Sequence, residues 1–505
     1  MGSLPDWLDP LYEAEEMRAA DTYAIEQAGV ASVDLMERAA IGLARVVAGH
    51  GGAGPVRVVV GKGNNGGDGL AAARLLREDG HRVDVLAAAS LDDLGPDAAA
   101  NRDRLPGAPP RTFSAGALDG SGVVVDCLLG TGFAGSPRGE VAEAIEAICG
   151  QPAPVVACDV PSGVDASTGR VGGLAVTAVA TATFHAPKVG LYVEPGKSCA
   201  GAVEIVEIGI PRGAPAPARA GLISERVLDL YPRRGRSGSK FDSGVVVVAG
   251  GSSGLTGAPV LAARAAARAG AGYVQVAVPA SVERVVELRL LEQMTHGLPE
   301  DAGGHTEQGV PVLAEMAERA GAVVLGPGLG RSQRAQEFGR RAAAAIPGPL
   351  LLDADGLNAH AGRLDMLAAR DGPTVLTPHE AELARLLGTE PAEVAADRRA
   401  SAARAAKESG AIVVLKGDDT IVAAPGGPLA VNPGGSAALA TAGTGDVLSG
   451  LVGCLLAKGL DPFTAACLGV SAHGLAGCAA AARVGADHTV AGDVIEALPH
   501  GLTLR

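Results

Sequence analysis

The chain is poor in aromatic residues and in cysteine. Aromatic residues make up 2% of the 505 residues and apolar residues as a whole 47%, so Ala, Val and Leu must build the cores. The seven cysteines are scattered and form no C-x-x-C pair. This pattern argues against a disulfide framework and a structural zinc site, and it fits a reducing compartment.

The sequence also lacks basic clusters and membrane-directed segments. Its net charge is -14 and its one basic run, "RRGRSGSK", is short, so we expect no nucleic-acid binding. The N-terminal "MGSLPDWLDPLYEAEE" has neither the basic nor the apolar region of a secretory signal. No run of about 18 or more apolar residues indicates a membrane span. We expect a cytoplasmic homo-oligomer that binds small molecules rather than a membrane.

What the sequence does contain is a long alternation of strand-like and helix-like runs. Strand-like runs such as "VRVVVG" and "GVVVDCLLG" recur in the first half, and "GVVVVAGG" and "AIVVLKG" in the second. Such alternation predicts mostly parallel sheets with helices on both faces, the α/β fold class. The segment "GIPRGAPAPARAG" (209–221) is rich in Pro, Gly and Ala, which indicates a domain boundary. We predict one domain over residues 1–215 and a second over 222–505.

A glycine-rich sequence follows the first strand-like run. "GKGNNGGDG" contains G-x-G-x-x-G at Gly61, Gly63 and Gly66, which either binds dinucleotide phosphates at a helix N-terminus or forms a tight turn. Asn65 and Asp68 make this sequence more polar than a redox-cofactor fingerprint needs. An acidic residue beside a phosphate implies a cation or proton-transfer chemistry.

Two further strand ends carry acidic or hydroxyl residues. Asp126 lies in "VVVDCLLGTGFAG", and Asp159 and Ser162 lie in "VVACDVPSGVDASTG". Because the carboxyl ends of parallel strands line one crevice, Asn65, Asp126 and Ser162 could converge as oxygen ligands of a monovalent cation. Asp159 would donate or accept a proton in the same crevice. The alternative is that each Asp caps a helix or a turn.

The motifs "GKGNNGGDG", "DCLLGTG", "DVPSGVDASTG" and "ATFHAPKVG" resemble those of the NAD(P)H-hydrate epimerase domain, the YjeF N-terminal family, over residues 11–212. The resemblance implies a Rossmann-like three-layer fold that binds hydrated NAD(P)H, called NADHX or NADPHX. It implies a potassium ion held by Asn65, Asp126 and Ser162, and Asp159 as acid or base. Lys188 either assists or is a structural lysine. The substrate contacts that the resemblance implies are Asn64, Asn65, Gly66, Gly67, Asp68, Gly130, Thr131, Gly132, Phe133, Ala134, Gly135, Ser136 and Asp159.

The second half carries a glycine-rich turn before an apolar helix, "GTGDVLSG". Backbone N–H groups of such a turn at a helix N-terminus can hold a phosphoryl group in transfer, and Asp446 can take a proton from a substrate hydroxyl. The alternative is an Asp that only caps the helix. Lys416 in "LKGDDTIV" follows a strand and is placed to bind a nucleotide. His379 in "TPHEAE" is either a structural hydrogen-bonding residue or part of a site.

These motifs, with "GPGLG", "DADGLNA" and "NPGGSAALATAGTGDVLSG", resemble the ADP/ATP-dependent NAD(P)H-hydrate dehydratase domain over residues 222–503. The resemblance implies a ribokinase-like fold, magnesium bound with the nucleotide, and Asp353 and Asp355 as candidate magnesium ligands. Many relatives read S-H-K-G-x-x-G where this chain has "SGSKFDSG", with Ser239 and Phe241, which affects that loop's contacts rather than the reaction. The implied hydrated-nucleotide contacts are Ala258, Gly328, His379 and Asp446. The implied adenine-nucleotide contacts are Lys416, Gly417, Asp418, Asp419, Thr420 and Gly445.

Together the two resemblances imply repair of damaged nicotinamide nucleotides. The first domain would interconvert the R and S forms of NAD(P)HX, and the second would dehydrate the S form to NAD(P)H at the expense of ADP, giving AMP and phosphate. One alternative is a ribokinase-like small-molecule kinase fused to a nucleotide-binding domain, but a kinase has no need of an epimerase-like half. Another is a scaffold protein without activity, but Asp159 and Asp446 argue against that.

Overall fold

The computed structural model describes residues 4–211 and 218–503, which form two compact units. The N-terminal unit comprises Pro10–Gly221, and the C-terminal unit comprises Pro5–Asp9 and the chain from Leu222 onward. The division therefore differs from the predicted domains at the N-terminus. Its cause is strand β1 (Leu8–Leu11), which lies at the edge of the larger sheet. The predicted boundary at residue 215 lies outside the described residues.

The N-terminal unit is built on a seven-stranded sheet in the order β4-β3-β2-β5-β6-β7-β8, with every pair parallel. Its strands are β2 (Val56–Val60), β3 (Val83–Ala87), β4 (Arg111–Thr112), β5 (Val123–Cys127), β6 (Val155–Cys158), β7 (Ala180–Phe184) and β8 (Ala202–Val206). Its helices are α1 (Ala14–Thr22), α2 (Ser32–His50), α3 (Asn64–Glu78), α4 (Pro96–Asp103), α5 (Gly139–Cys149) and α6 (Gly196–Ala200).

Two hydrophobic cores cover the two faces of this sheet. Successive side chains of a strand point to opposite faces, and the run Val58, Val59, Val60 accordingly divides between the cores. Val58 and Val60 pack with Leu43 of α2 and its neighbours, whereas Val59 packs in the core that contains Ile145 of α5. The buried valine runs of the sequence thus form a sheet with helices on both faces, and the predicted three-layer α/β fold is confirmed.

The C-terminal unit has a mixed sheet of eleven strands in the order β1-β9-β20-β19-β18-β17-β16-β15-β10-β11-β12. Pairing is parallel from β12 through to β18 and antiparallel between β18, β19 and β20. The strands are β9 (Ala220–Ile223), β10 (Val245–Ala249), β11 (Tyr273–Pro279), β12 (Met294–Leu298), β15 (Ala322–Leu325), β16 (Leu350–Leu352), β17 (Thr374–Leu376), β18 (Ile412–Leu415), β19 (Ile421–Ala423) and β20 (Leu429–Val431), with a separate hairpin of β13 (Glu300–Asp301) and β14 (Gly304–His305).

The helices of this unit flank the sheet in the alternating order that the sequence predicts. They are α7 (Gly257–Arg268), α8 (Ala280–Glu287), α9 (Val310–Glu318), α10 (Gln333–Ala345), α11 (Asp355–Asn358), α12 (Leu364–Ala368), α13 (Glu380–Leu387), α14 (Pro391–Ala396), α15 (Arg398–Ser409), α16 (Thr444–Ala457), α17 (Pro462–Val484) and α18 (Ala491–Gly501).

Helix α17 is long and apolar enough to cross a membrane, judged by length and composition alone, with a mean hydropathy of 1.4. However, 67% of this apolar stretch is buried inside the fold, where α17 packs against α16 and α18. We therefore assign α17 to the core of the C-terminal unit.

Each sheet has one point at which the strand order reverses direction. It lies between β2 and β5 in the N-terminal unit and between β10 and β15 in the C-terminal unit. In open α/β sheets, ligands bind in the crevice outside the carboxyl ends of the strands at such a point. In the N-terminal unit, "GKGNNGGDG" and "DCLLGTG" lie at the ends of those two strands. In the C-terminal unit, "GPGLG" follows β15, and the other motifs follow the neighbouring strands β16, β17 and β18 or begin α16.

Candidate active sites

A cavity of about 790 Å³ lies at the carboxyl ends of β2, β5 and β6 in the N-terminal unit. Its size suits part of a dinucleotide, because ligand pockets typically enclose roughly 300–1,000 Å³. The predicted substrate-binding residues that line it are Asn64, Asn65, Asp68, Gly130, Thr131, Gly132, Phe133, Ala134 and Asp159. The predicted residues that are not among its lining are Gly66, Gly67, Gly135 and Ser136.

The glycines of "GKGNNGGDG" serve close packing as well as ligand approach. Helix α3 already begins at Asn64, so Gly66 and Gly67 belong to its first turns rather than to a loop. A Cβ at Gly66 would clash with the carbonyl oxygen of Gly61, and one at Gly67 would lie 2.8 Å from the Met36 side chain. These two glycines let α3 pack tightly, which explains why the cavity is lined by their neighbours instead.

Asp159 and Lys188 form a buried ion pair at the floor of this cavity. Lys188 Nζ donates to Asp159 Oδ1 at 2.7 Å, and the lysine side chain is 1% exposed. The backbone N–H and the hydroxyl of Thr131 both donate to Asp159 Oδ2, at 2.9 and 2.5 Å. Asp159 also adopts a left-handed backbone conformation with φ 67°, which is uncommon for a residue other than glycine and marks functional sites. Lys188 is therefore part of the site and not a solvated lysine.

The surroundings keep Asp159 ionised. Burial raises the pKa of its carboxyl, but Lys188 and the hydrogen bonds from Thr131 outweigh burial and lower that pKa below its usual value. Asp68 is the opposite case, because burial and the nearby Asp159 and Asp21 raise its pKa well above the usual range. The cavity therefore shifts the pKa of two of its carboxyl groups in opposite directions.

Asp21 of α1 is a site residue that sequence reasoning missed. It lines the same cavity, and burial raises the pKa of its carboxyl to about 6, with Lys188 lowering it and Asp159 raising it. Its place in "MRAAD" on an amphipathic helix gave it no distinguishing signal. Only the packing of α1 over the sheet brings Asp21 to Asp68 and Asp159.

Two of the three predicted cation ligands, Asn65 and Ser162, contact the carbonyl of Leu129, and the third, Asp126, is bonded to Ser162. Asn65 Nδ2 donates to Leu129 O at 2.8 Å, and Ser162 Oγ lies 3.3 Å from the same oxygen. Ser162 Oγ also donates to Asp126 Oδ1 at 2.6 Å. Asp126 is fully buried, and within the described chain no Lys or Arg pairs with it.

This environment fits a bound monovalent cation. Burial raises the pKa of Asp126 to about 6, although hydrogen bonds from Ser162 and Leu128 oppose the rise. A buried carboxylate without a cationic partner is costly, and the neighbouring amide, carbonyl and hydroxyl oxygens are of the kind that bind hard cations. The residues present therefore match the predicted potassium site in ligand type and in charge.

The second candidate site lies at the carboxyl ends of β16, β17 and β18 and the start of α16. Lys416 Nζ donates to Asp353 Oδ1 at 2.9 Å, and Ser449 Oγ donates to Asp353 Oδ2 at 2.7 Å. Asp446 lies in the first turn of α16. A Cβ at Gly445 would lie 3.5 Å from Lys416 Nζ, so the two predicted nucleotide motifs, "LKGDDT" and "GTGD", meet here.

The pKa of the Asp446 carboxyl lies close to neutral pH. Burial raises its pKa to about 7, the charge of Asp353 and, less strongly, of Glu382 adds to the rise, and Lys416 opposes it. A general base works best when its pKa lies near the working pH. Asp446 is therefore tuned for proton transfer near pH 7, whereas Asp353 is occupied by Lys416 and Ser449.

Two other predicted residues have structural partners. His379 is the N-cap of α13, and its Nδ1 accepts hydrogen bonds from the backbone of Ala381 and Glu382 at 3.1 and 3.4 Å. Asp355 accepts from the Gly330 backbone at 3.0 Å and from Arg331 Nε at 3.0 Å, so it ties down the "GPGLG" loop. Of the two candidate magnesium ligands, Asp353 is thus the one beside Asp446.

A buried arginine holds the predicted nucleotide loop in place. Arg398 is 2% exposed. It donates through Nε to Asp419 Oδ2 at 3.0 Å and through Nη2 to the Lys416 carbonyl at 3.2 Å, and it pairs with Glu380. Asp419, which is predicted to contact the nucleotide, is 1% exposed. It supports the loop through its hydrogen bond from Arg398. Sequence reasoning missed Arg398, because a single arginine in a helix carries no sign of burial.

The predicted substrate contacts Ala258 and Gly328 also lie side by side. Gly328 has φ +66°, and a Cβ there would lie 3.3 Å from the Ala258 Cβ and close to the Leu255 carbonyl. Glycine is thus required at Gly328 for a close approach. In the described ranges, no group of three or more His, Cys, Asp or Glu side chains is arranged to hold a metal ion.

The two folds and sites define a two-domain α/β enzyme with a nucleotide-sized cavity in one unit and a phosphoryl-transfer type of site in the other. A family model described as YjeF-related protein N-terminus matches residues 32–190, and one described as NAD(P)H-hydrate dehydratase matches residues 246–500.

Relatives match the whole length of the chain. A bifunctional NAD(P)H-hydrate repair enzyme of Salinibacter ruber is 41% identical, covering 97% of this chain and 95% of the relative. Another, of Moorella thermoacetica, is 39% identical and covers 97% and 96%. The chain belongs to this family of bifunctional NAD(P)H-hydrate repair enzymes. Among solved structures, an ADP/ATP-dependent NAD(P)H-hydrate dehydratase of Bacillus subtilis, co-crystallised with ATP and Mg²⁺, is 28% identical and covers 55% of this chain and 95% of its own, with a TM-score of 0.48.

Proposed function

We propose that this chain interconverts the R and S forms of NAD(P)HX in its N-terminal unit and dehydrates the S form in its C-terminal unit, with ADP as phosphoryl donor and AMP and phosphate as products. The observation that carries the proposal is the presence, in one chain, of an ionised Asp159–Lys188 pair in a nucleotide-sized cavity and of Asp446 with a pKa of about 7 beside Lys416.

In the N-terminal unit, epimerisation requires loss and return of the hydroxyl at C6 of the nicotinamide ring. When the C6–O bond breaks, the lone pair of N1 forms a double bond to C6 and the ring becomes positively charged. The ionised Asp159 stabilises that charge, and Lys188 and Thr131 hold its carboxylate in a fixed orientation. Water then adds to the opposite face of C6.

Asn65, Asp126 and Ser162 would hold a potassium ion below this cavity. The ion would supply a fixed positive charge that orders the loops after β5 and β6. The unpaired charge of buried Asp126 supports this assignment. Replacing potassium by choline in the assay is expected to slow epimerisation and to leave dehydration of the S form unchanged.

In the C-terminal unit, hydroxide is a poor leaving group and must be activated. Asp446 takes the proton of the C6 hydroxyl as the hydroxyl oxygen attacks the terminal phosphoryl group of ADP, whose bond to AMP breaks so that AMP leaves. Lys416 and the backbone N–H groups at the start of α16 stabilise the phosphoryl charge. Phosphate then leaves C6 with help from the N1 lone pair, and loss of a proton from C5 regenerates NAD(P)H. Magnesium, bound with the nucleotide, neutralises phosphate charge.

The rival function is that of a small-molecule kinase. A kinase would release a stable phosphate ester and would not restore the absorbance of NADH. The ionised Asp159 in the other unit has no task in a kinase, which supports repair.

One assay tests the proposal. The purified chain is mixed with both epimers of NADHX and with ADP, and the absorbance of restored NADH is followed. Complete recovery is expected. Rapid recovery of about half would mean that the chain is a dehydratase alone, and no recovery with either ADP or ATP would contradict the proposal.

A further inference from the structure

Two carboxyl groups in the N-terminal cavity have no partner among the described residues. Asp21 on α1 and Asp68 on α3 both line the cavity. Asp68 is 8% exposed, yet across residues 4–211 neither carboxyl forms a hydrogen bond or an ion pair. A buried, unpartnered polar group is costly and marks a place where a ligand or a reaction uses it.

The charges around the cavity explain why this pair stays unpaired. The titratable groups that line it are Arg18, Asp21, Lys62, Asp68, Asp97, Asp159 and Lys188. Arg18 and Lys62 are exposed, so Lys188 is the buried cation of this set. Lys188 is already bound to Asp159, Thr183 and the Phe184 carbonyl. One ammonium group therefore faces three carboxyl groups and neutralises only one of them.

We propose that Asp21 and Asp68 share one proton and are the general acid of epimerisation, a role that rests on the proposed function of this unit. Two neighbouring carboxyl groups that line one cavity disfavour each other's ionisation, so the pair retains a proton more readily than either group would alone. Burial, and next the charge of Asp159, raise the pKa of Asp68. For Asp21, burial raises the pKa to about 6 against the opposing effect of Lys188.

The shared proton balances the chemistry of the step. It moves to the C6 hydroxyl as the C6–O bond breaks, the N1 lone pair forms the N1–C6 double bond, and water leaves. Water then adds to the other face of C6, the double-bond electrons return to N1, and the incoming water gives a proton back to the carboxyl cluster. Asp159 cannot supply the proton, because Lys188 and Thr131 keep it ionised.

The test uses the full chain with purified R epimer and no ADP, and follows the epimer ratio by chromatography after subtraction of the uncatalysed rate. Asp68→Asn and Asp21→Asn are each expected to slow epimerisation by about 100-fold or more, the usual contribution of a general acid. In wild type, epimerisation should fall as the pH rises, because the acid loses its proton. The matched control is Asp34→Asn, an exposed aspartate of α2 outside the cavity lining, which should keep the wild-type rate.

A second readout separates acid catalysis from a structural role. The infrared difference spectrum of wild type minus Asp68→Asn at neutral pH should contain the band of a protonated carboxyl, and the difference of wild type minus Asp34→Asn should lack it. Dehydration of pure S epimer with ADP should be unchanged in every variant, which shows that the C-terminal unit is folded, and an unchanged melting temperature of the N-terminal unit in calorimetry shows the same for the unit that carries the substitutions.

The outcomes distinguish this proposal from the function on which it rests. If both Asn variants epimerise at near wild-type rates, or if the difference spectrum of wild type minus Asp68→Asn contains no such band, the carboxyl pair is not the acid and the proposal is wrong. If wild type itself does not epimerise at any pH, the proposed function of the N-terminal unit fails and this proposal falls with it.

Discussion

The two candidate sites use the same residue types, an aspartate and a lysine at the carboxyl edge of a parallel sheet, but they pair them differently. In the N-terminal unit, Lys188 binds Asp159 directly and lowers its pKa. In the C-terminal unit, Lys416 binds Asp353 instead, and Asp446 is left with a pKa of about 7. An aspartate that the lysine binds directly is therefore a fixed charge, whereas an aspartate that lies beside the lysine but is not bound by it can act as a base.

The largest effect is expected from Asp446→Asn. The amide cannot take the hydroxyl proton, so dehydration of the S form should fall by about 100- to 10,000-fold, the range for a lost general base. The rate at which the absorbance of restored NADH increases measures this loss of dehydration. Epimerisation without ADP should stay at the wild-type rate, and exposed Asp487→Asn is the control. Dehydration at a normal rate in Asp446→Asn would remove Asp446 from the mechanism.

Lys188→Met tests the fixed charge of the other site. It leaves the buried Asp159 without its cation, which typically costs about 3–5 kcal/mol of stability, and the pKa of Asp159 should rise. We expect epimerisation to be lost and the N-terminal unit to melt at a lower temperature in calorimetry. Lys62→Met is the comparison for stability, because it removes an exposed lysine at the same cavity. An unchanged melting temperature in Lys188→Met would show that the ion pair does not stabilise the unit.

Arg398→Lys tests how the nucleotide loop is held. Lysine keeps the charge but loses the forked hydrogen bonds to Asp419 and the Lys416 carbonyl. The loss of one charge-assisted hydrogen bond costs about 1.5 kcal/mol, so KM for ADP should rise about tenfold with a smaller change in kcat. Arg404→Lys, at an exposed helical ion pair, is the matched control. A fall in kcat alone would instead place Arg398 in the chemical step.

The smallest effect is expected at His379. As an N-cap of α13, it should be replaceable by Asn, a good N-cap, whereas His379→Ala should cost about 1 kcal/mol of stability. Thermal unfolding measures both variants. If His379→Asn keeps the stability but raises KM for the S form, then His379 contacts substrate as the sequence predicts.

The sequence was sufficient to predict the α/β architecture and the strand ends that carry the sites. Asp126 lies near the end of one buried strand, Asp159 and Ser162 follow another, and parallel pairing brings such positions to one edge. The sequence could not predict which side chain pairs with which. Asp21 and Arg398 act through the packing of helices that are distant along the chain, and Gly66 and Gly67 show their packing role only once α3 lies against Gly61 and Met36.

The most direct test of the account is the pH dependence of both activities in one preparation of wild-type protein. Asp446 must be ionised to act as a base, so kcat/KM for dehydration should rise with pH and level off above about 7. The Asp21–Asp68 pair must be protonated to act as an acid, so epimerisation should fall as the pH rises. Opposite slopes are the predicted result, and parallel slopes would contradict the account.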